Sequence, residues 1–331
     1  MILITGAGSQ LGRNLIELWT RKKLPLRPAD LLDRPCFAEH QAVIGDLSDP
    51  VLLREAVKDV QTIVHLAEAR PDAATVERFG VRGYDKWLFQ QNLENTRLLA
   101  EAARDAGVHR IIYLSSTSVY GPPPSVSPCN ELTQPDPRGP YGRSKLEAEQ
   151  LLLAMHQRGE IEPIILRCCP MLGNYEPEGE VEKQLLEKAV KNSPIVLFGN
   201  HQVLKHRVHV RDVVDCIDRC LERPQSVGRL YNIAGRSAAT RIRVTHEVLK
   251  ALDSRSMLIS LPKSSFTAAN AFAGLLGNPL VIPEFAEVPF AHSCYSIERA
   301  VAELGWRPKY DTVQAYVETA LWYGQSHGKV K

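Results

Sequence analysis

Tyr141 and Lys145 lie four residues apart in Pro140-Tyr-Gly-Arg-Ser-Lys145, where a segment with helical spacing begins. Residues four apart on a helix share a face, so the phenol and the ammonium would stand side by side. A phenol is normally protonated at neutral pH, with a pKa of about 10. A neighbouring ammonium and a cationic cofactor both favour the phenolate. A tyrosine tuned in this way can take a proton from an alcohol and return it to a carbonyl oxygen. As a bare pair, Tyr-x-x-x-Lys describes an ordinary surface helix equally well, and its weight comes from what precedes it.

Upstream, Tyr113-Leu-Ser-Ser-Thr-Ser-Val-Tyr-Gly121 crowds hydroxyls at the end of the apolar run RIIYL, residues 110–114. Ligands of an open α/β sheet bind outside the carboxyl ends of its strands. At the start of the chain, GAGSQLG (residues 6–12) follows Met-Ile-Leu-Ile-Thr. Small residues there let backbone N–H groups and a helix N-terminus approach a pyrophosphate. Gly6 begins the turn, Gly8 and Ser9 continue it, and Gln10, Leu11 and Gly12 open the helix, with Ser9 where a middle glycine usually stands. Such a loop needs an acid at the end of the second strand to hold the adenosine ribose. Asp30 lies eighteen residues beyond Gly12, with Asp33 as the fallback. An acid there favours NAD over NADP, although Arg34 keeps NADP open.

These residues need a frame. The spacing predicts strands at 2–5, 24–30, 41–44, 62–66, 110–114 and 163–167, and helices at 11–19, 52–57, 92–106 and 141–157. Strands alternating with helices of this length specify an α/β fold, a Rossmann-type doubly wound parallel sheet covered on both faces. After residue 170 the pattern loosens. Segments 208–210 and 230–233 read as strands returning to the sheet. The expected organisation is a dinucleotide-binding domain over 1–170, with 205–237 returning to its sheet. Residues 171–204 and 238–331 form a smaller, interleaved C-terminal substrate-binding region.

With 331 residues, 44% of them hydrophobic, the chain can bury a large core. The net charge of +2, from 40 basic and 38 acidic residues, points to neither nucleic acid nor a membrane surface. No apolar run is long enough to span a bilayer. Met1 leads straight into a strand without a basic or signal-type segment, so the expected location is cytoplasmic. Seven cysteines without a C-x-x-C pair read as reduced thiols. No metal site is expected, since only His201, His206 and His209 cluster among ten histidines.

Taken in order, the pieces resemble the extended short-chain dehydrogenase/reductase superfamily, the NAD-dependent epimerase/dehydratase group. The resemblance rests on ITGAGSQLG, Asp30, Gly45-Asp46-Leu47, Val64-His-Leu-Ala67, Asn92, SSTSVYG, YGRSK, Leu166-Arg167, His209-Val-Arg-Asp212, Tyr231-Asn-Ile-Ala234 and Leu304-Gly-Trp-Arg-Pro308. It implies that Ser116 hydrogen-bonds the reacting oxygen and that Tyr141 is the general acid/base. Lys145 would lower the Tyr141 pKa and hold the nicotinamide ribose. Asp46 and Leu47 would line the adenine, Leu66 and Ala67 would pass beside the phosphates, and Asn92 would belong to the cofactor site. Cys168 and Met171 would lie near the nicotinamide. The resemblance also implies a homodimer formed through the helices carrying Asn92 and Tyr141.

Dehydratases of this group use an acidic pair where this chain has Thr117-Ser118, so 4,6-dehydration is not expected. The expected substrate is a nucleotide sugar, handled by a 4-epimerase or 4-ketoreductase, with Ser116 and Thr117 near the sugar. The usual Arg-Pro-Gly-Asp piece is replaced by Ala286-Glu-Val-Pro289, and Pro170 stands where many such enzymes have asparagine. Lys205 and Arg207 could supply charge to a diphosphate; as a solvated basic edge they read equally well. The apolar segment from Leu261 to Pro279 resembles the substrate region of the 3β-hydroxysteroid dehydrogenase branch, which keeps an apolar hydroxy or keto compound as the alternative substrate. A non-catalytic cofactor-binding regulator is the third reading, and intact Ser116, Tyr141 and Lys145 argue against it.

Overall fold

The structure is a computed structural model that describes residues 1–70, 73–122, 127–175, 180–275 and 290–328. The first half alternates strand and helix: β1 (Ile2–Thr5), α1 (Gln10–Arg21), β2 (Leu26–Asp30), β3 (Val43–Ile44), α2 (Pro50–Val57), β4 (Thr62–His65), α3 (Ala73–Phe89), α4 (Asn95–Asp105), β5 (Arg110–Ser116), α5 (Pro140–Gln157) and β6 (Glu162–Cys168). The second half holds β7 (Met171–Leu172), α6 (Glu180–Val190), β8 (Ile195–Phe198), β9 (Leu204–Lys205), β10 (Val208–His209), α7 (Val210–Leu221) and β11 (Leu230–Ile233). It closes with β12 (Ala239–Thr240), α8 (Arg241–Ala251), β13 (Leu258–Leu261), α9 (Lys263–Leu275), α10 (Glu298–Leu304) and α11 (Thr312–Ser326).

Among the described residues, seven strands form one sheet in the order β11-β6-β5-β4-β1-β2-β3, and every pairing is parallel. Side chains alternate between faces along each strand. Ile4, Val64, Ile112, Ile164 and Leu166 therefore pack to one side, against α1 and α7. Leu3, Ile63, Ile111 and Ile165 pack to the other, against α2, α4 and α5. Both faces are covered, which is why these strands read as near-continuous apolar runs. Each such side chain taken from water contributes roughly 1.5–3 kcal/mol. A smaller core, with Leu172, Leu186, Leu197, Val248, Tyr316 and Tyr323, holds the C-terminal elements together.

Three expectations shift. The helix predicted from residue 92 begins with a π turn, Gln90–Glu94, before α4, and is preceded by α3, which the sequence pattern does not show. Gly80 inside α3 has φ +63° and breaks its helical path, which dilutes its periodicity. Only β11 of the two returning segments joins the large sheet. It takes the position beside β6, and β10 pairs with β7 outside the sheet. Val210 already belongs to α7, whose N-cap is His209. Ala286–Pro289 and the end of the 261–279 segment lie outside the described residues.

Candidate active site

The carboxyl ends of β1, β4, β5 and β6 meet along one edge of the sheet, and the expected chemistry collects there. At β1 the chain turns through Gly6, whose φ is +66°; a Cβ there would stand 2.6 Å from the Ala67 nitrogen. A Cβ on Gly12 would stand 2.4 Å from the Ala7 carbonyl oxygen, so only glycine lets α1 start this close to its turn. Ser9 caps α1, its hydroxyl accepting from the Gly12 N–H at 3.1 Å, and so keeps the turn tight without a middle glycine. The Gly8 N–H donates to Asp30 Oδ2 at 2.7 Å, which joins the phosphate turn to the end of β2. Arg34 lies beside this pair, with its Nε buried and without a partner in the structure. A small-residue turn, a free helix N-terminus and a carboxylate at the end of the second strand fit a dinucleotide. Gly6, Gly8, Ser9 and Gly12 would cradle its pyrophosphate, and Asp30 would hold its adenosine ribose.

Other expected cofactor residues fall in varied places. Leu11 is buried in the core and Gln10 reaches across to the Asn174 carbonyl, its Nε2 donating at 2.9 Å. Asp46 is exposed after β3 and accepts from the Ser48 N–H, while Leu47 is half-buried against the α2 side of the sheet. Leu66 is buried; Ala67 touches Gly6. Cys168 stands opposite Ser116 in the β5–β6 register, and Met171 is buried just beyond.

Pro140 occupies the first turn of α5, where its missing N–H leaves no intrahelical bond unmade. Tyr141 follows it, and Lys145 lies one turn later on the same face. Lys145 is buried, donates to the Leu114 carbonyl at 2.6 Å and sits 4.5 Å over the Tyr113 ring. Ser116 Oγ lies at the end of β5, donating to Ser118 Oγ at 3.0 Å and accepting from the Ser118 N–H. Thr117, next to it, is buried.

The side chain that the motifs did not single out is Glu68. One of its oxygens accepts from Tyr141 Oη at 3.0 Å and meets Lys145 Nζ at 2.9 Å. The other accepts from Arg70 Nε. Burial alone would raise this carboxyl, but Arg70 and Lys145 overcome it and hold the pKa at about 2. Tyr141 is pushed above the ordinary phenol range by burial and then by Glu68, against the pull of Lys145. Lys145 still pulls Tyr141 downward as expected, but burial, with Glu68 added to it, outweighs that pull in this arrangement.

Asn92 explains how the Glu68 loop is held. Its side chain accepts from the Ala69 N–H at 2.7 Å and donates to the Ala69 carbonyl at 3.0 Å, and it also donates to Ser144 Oγ on α5. The π turn carrying Asn92 aims it at this loop, and single π turns often mark functional positions.

In the C-terminal part, Arg207 is buried and donates twice to Glu182 Oε1, from Nε at 3.0 Å and from Nη2 at 2.8 Å. Lys205 Nζ donates to the Ala291 carbonyl at 2.6 Å. A cleft beside them is lined by Glu182, Lys188, Lys205, Arg241, Thr245 and Tyr316. Burial, with Arg207 and Arg241 nearby, lowers Lys205 to about 7. Phe266 of α9 packs edge-on against Phe198 and Phe290, within the small region itself. Among the described residues, no group of three His, Cys, Asp or Glu side chains converges as a metal would need, and no helix is long and apolar enough to cross a membrane.

A parallel sheet with a glycine turn at the end of β1 and a carboxylate at the end of β2 defines a dinucleotide-binding α/β protein. The NAD dependent epimerase/dehydratase family matches residues 2–234, and the chain belongs to it. It is 24% identical, over an alignment of 339 residues, to a UDP-glucose 4-epimerase of Vibrio cholerae, covering 99% of this chain and 97% of that one. It is also 24% identical, over 300 residues, to a dTDP-glucose 4,6-dehydratase of Xanthomonas campestris, covering 86% of this chain and 79% of that one. A solved UDP-glucose 4-epimerase of Thermotoga maritima with UDP-glucose superposes with a TM-score of 0.81 at 19% identity, covering 98% of this chain and 99% of that chain.

Proposed function

We propose that this protein moves a hydride reversibly at a secondary alcohol of a nucleotide sugar, as a 4-epimerase or 4-ketoreductase. The observation that supports the reading is Ser116 at the end of β5 with Tyr141 and Lys145 at the start of α5, where Lys145 donates to the Leu114 carbonyl two residues before Ser116, and with hydroxyls rather than carboxylates at positions 117 and 118. Bound NAD would supply a reversible hydride acceptor. Ser116 Oγ and Tyr141 Oη would orient the sugar oxygen, and Tyr141 Oη would accept or return its proton. Lys145 would hold the nicotinamide ribose, and Asp30 the adenosine ribose.

Dehydration needs a further acid and base at the sugar. Thr117 and Ser118 cannot ionise for that purpose. Glu68, held at about 2, stays a carboxylate at neutral pH and has no proton to give. The relatives named above are enzymes of UDP- and dTDP-glucose, and the cleft with Lys188 and Arg241, where Lys205 is partly charged at neutral pH, supports a diphosphate here. Arg207 contributes there by neutralising Glu182.

The test is direct. Purified protein with NAD is incubated with UDP-glucose or dTDP-glucose and the sugar is followed by proton NMR. A C4-epimer, or a 4-keto sugar accompanied by NADH, supports the reading. A 4-keto-6-deoxy sugar, or no change in either sugar, sinks it.

A further inference from the structure

Glu68 lies at the sheet edge in contact with both Tyr141 and Lys145 and has no role in the chemistry so far described. Its side chain is 8% exposed. Burying a carboxylate costs several kcal/mol unless charges and donors compensate it. Arg70, two residues on, already pairs with one oxygen. The other oxygen is directed at the two side chains that handle the proton and the ribose. A loop that needed only a structural ion pair had Arg70 for it. Asn92 fixes both backbone groups of Ala69 and so keeps the carboxylate from swinging away.

We propose that Glu68 is a positioning residue of the catalytic centre: it aligns Tyr141 and Lys145 before the cofactor arrives, and its charge then favours the oxidised nicotinamide over the reduced one. The inference rests on the NAD-binding reading and deepens it. Hydride transfer requires the nicotinamide ring beside the carbon whose oxygen meets Tyr141 Oη. A carboxylate 3.0 Å from that hydroxyl therefore acts on the charge of the ring. The oxidised ring is a cation and the reduced ring is neutral. Without Glu68 the ring would face the Lys145 ammonium; with it, a carboxylate 2.9 Å from that ammonium offsets its charge. The effect on the affinity ratio is on the order of tenfold, the size expected of a unit charge across several ångströms at an intermediate effective dielectric.

The measurement is the dissociation constants of NAD+ and NADH, by isothermal titration calorimetry at pH 7.5, for the nucleotide-stripped protein and for Glu68→Gln. Glu68→Gln keeps the shape and removes the charge, and should move the ratio toward NADH by about tenfold. If the amide beside Lys145 prevents folding, Glu68→Ala removes the charge without it and gives the same readout. A ratio unchanged in the variant that folds, with both affinities falling together, overturns the proposal and leaves Glu68 a loop support. No sugar nucleotide enters the experiment, so a wrong substrate reading would not disturb it.

Discussion

Tyr141 Oη and Lys145 Nζ meet on a single oxygen of Glu68, at 3.0 and 2.9 Å. The phenol and the ammonium are thus joined through a carboxylate before any cofactor binds, and Asn92 holds the loop that supplies it. In this arrangement burial and Glu68 keep the Tyr141 phenol protonated, and the Lys145 ammonium is paired with the same carboxylate.

Replacing Tyr141 with Phe removes the proton carrier and leaves the glycine turn and Lys145 in place. Turnover should fall by about 10²–10⁴, the usual contribution of a positioned acid/base, while NAD affinity stays near wild type. Steady-state kinetics and a cofactor titration check both parts. Retained turnover would remove Tyr141 from the role.

Asp30 and Gly12 separate two aspects of cofactor binding. Asp30→Ala should weaken NAD far more than NADP, because the lost carboxylate holds a ribose hydroxyl in one and repels a phosphate in the other. Gly12→Ala should weaken both alike, since its Cβ would meet the Ala7 carbonyl oxygen at 2.4 Å and push α1 from its turn. Titrating each variant with both nucleotides distinguishes them. Equal losses in Asp30→Ala would put the ribose contact elsewhere.

Arg207 is tied to Glu182, and its removal should register first as lost stability. Arg207→Leu leaves a buried carboxylate unpaired, a loss of about 3–5 kcal/mol. Adding Glu182→Leu should restore much of it. Urea denaturation of the single and double variants measures this. A single variant as stable as wild type would free Arg207 for a direct ligand role.

Acid should weaken the fold through its buried histidines. His65, His206 and His209 are held neutral, burial lowering them to about 3, about 4 and about 4. In the unfolded chain each takes a proton below about 6.5. The unfolded state then binds more protons than the folded one between about pH 6.5 and about pH 4. Stability is therefore full above that window and falls as pH drops through it, by at most about 1.4 kcal/mol per pH unit for each histidine. Urea midpoints at pH 7.5 and 5.5 check the slope, and equal midpoints would contradict it.

The sequence alone determined the parallel sheet, the glycine turn with Asp30, and the order of Ser116, Tyr141 and Lys145. These rest on short-range physics. Strand and helix periods show in a few residues, a turn that admits no Cβ shows as glycine, and a Tyr–Lys pair at four residues lies on one helix face. Tertiary structure decided what the charges do. Glu68 and Tyr141 are 73 residues apart in the chain and meet only because β4 and α5 converge at the sheet edge. Arg207 reads as a basic edge until Glu182, 25 residues earlier, is seen closed on it. The work of a buried charge is set by its partner, and packing, rather than local pattern, chooses that partner.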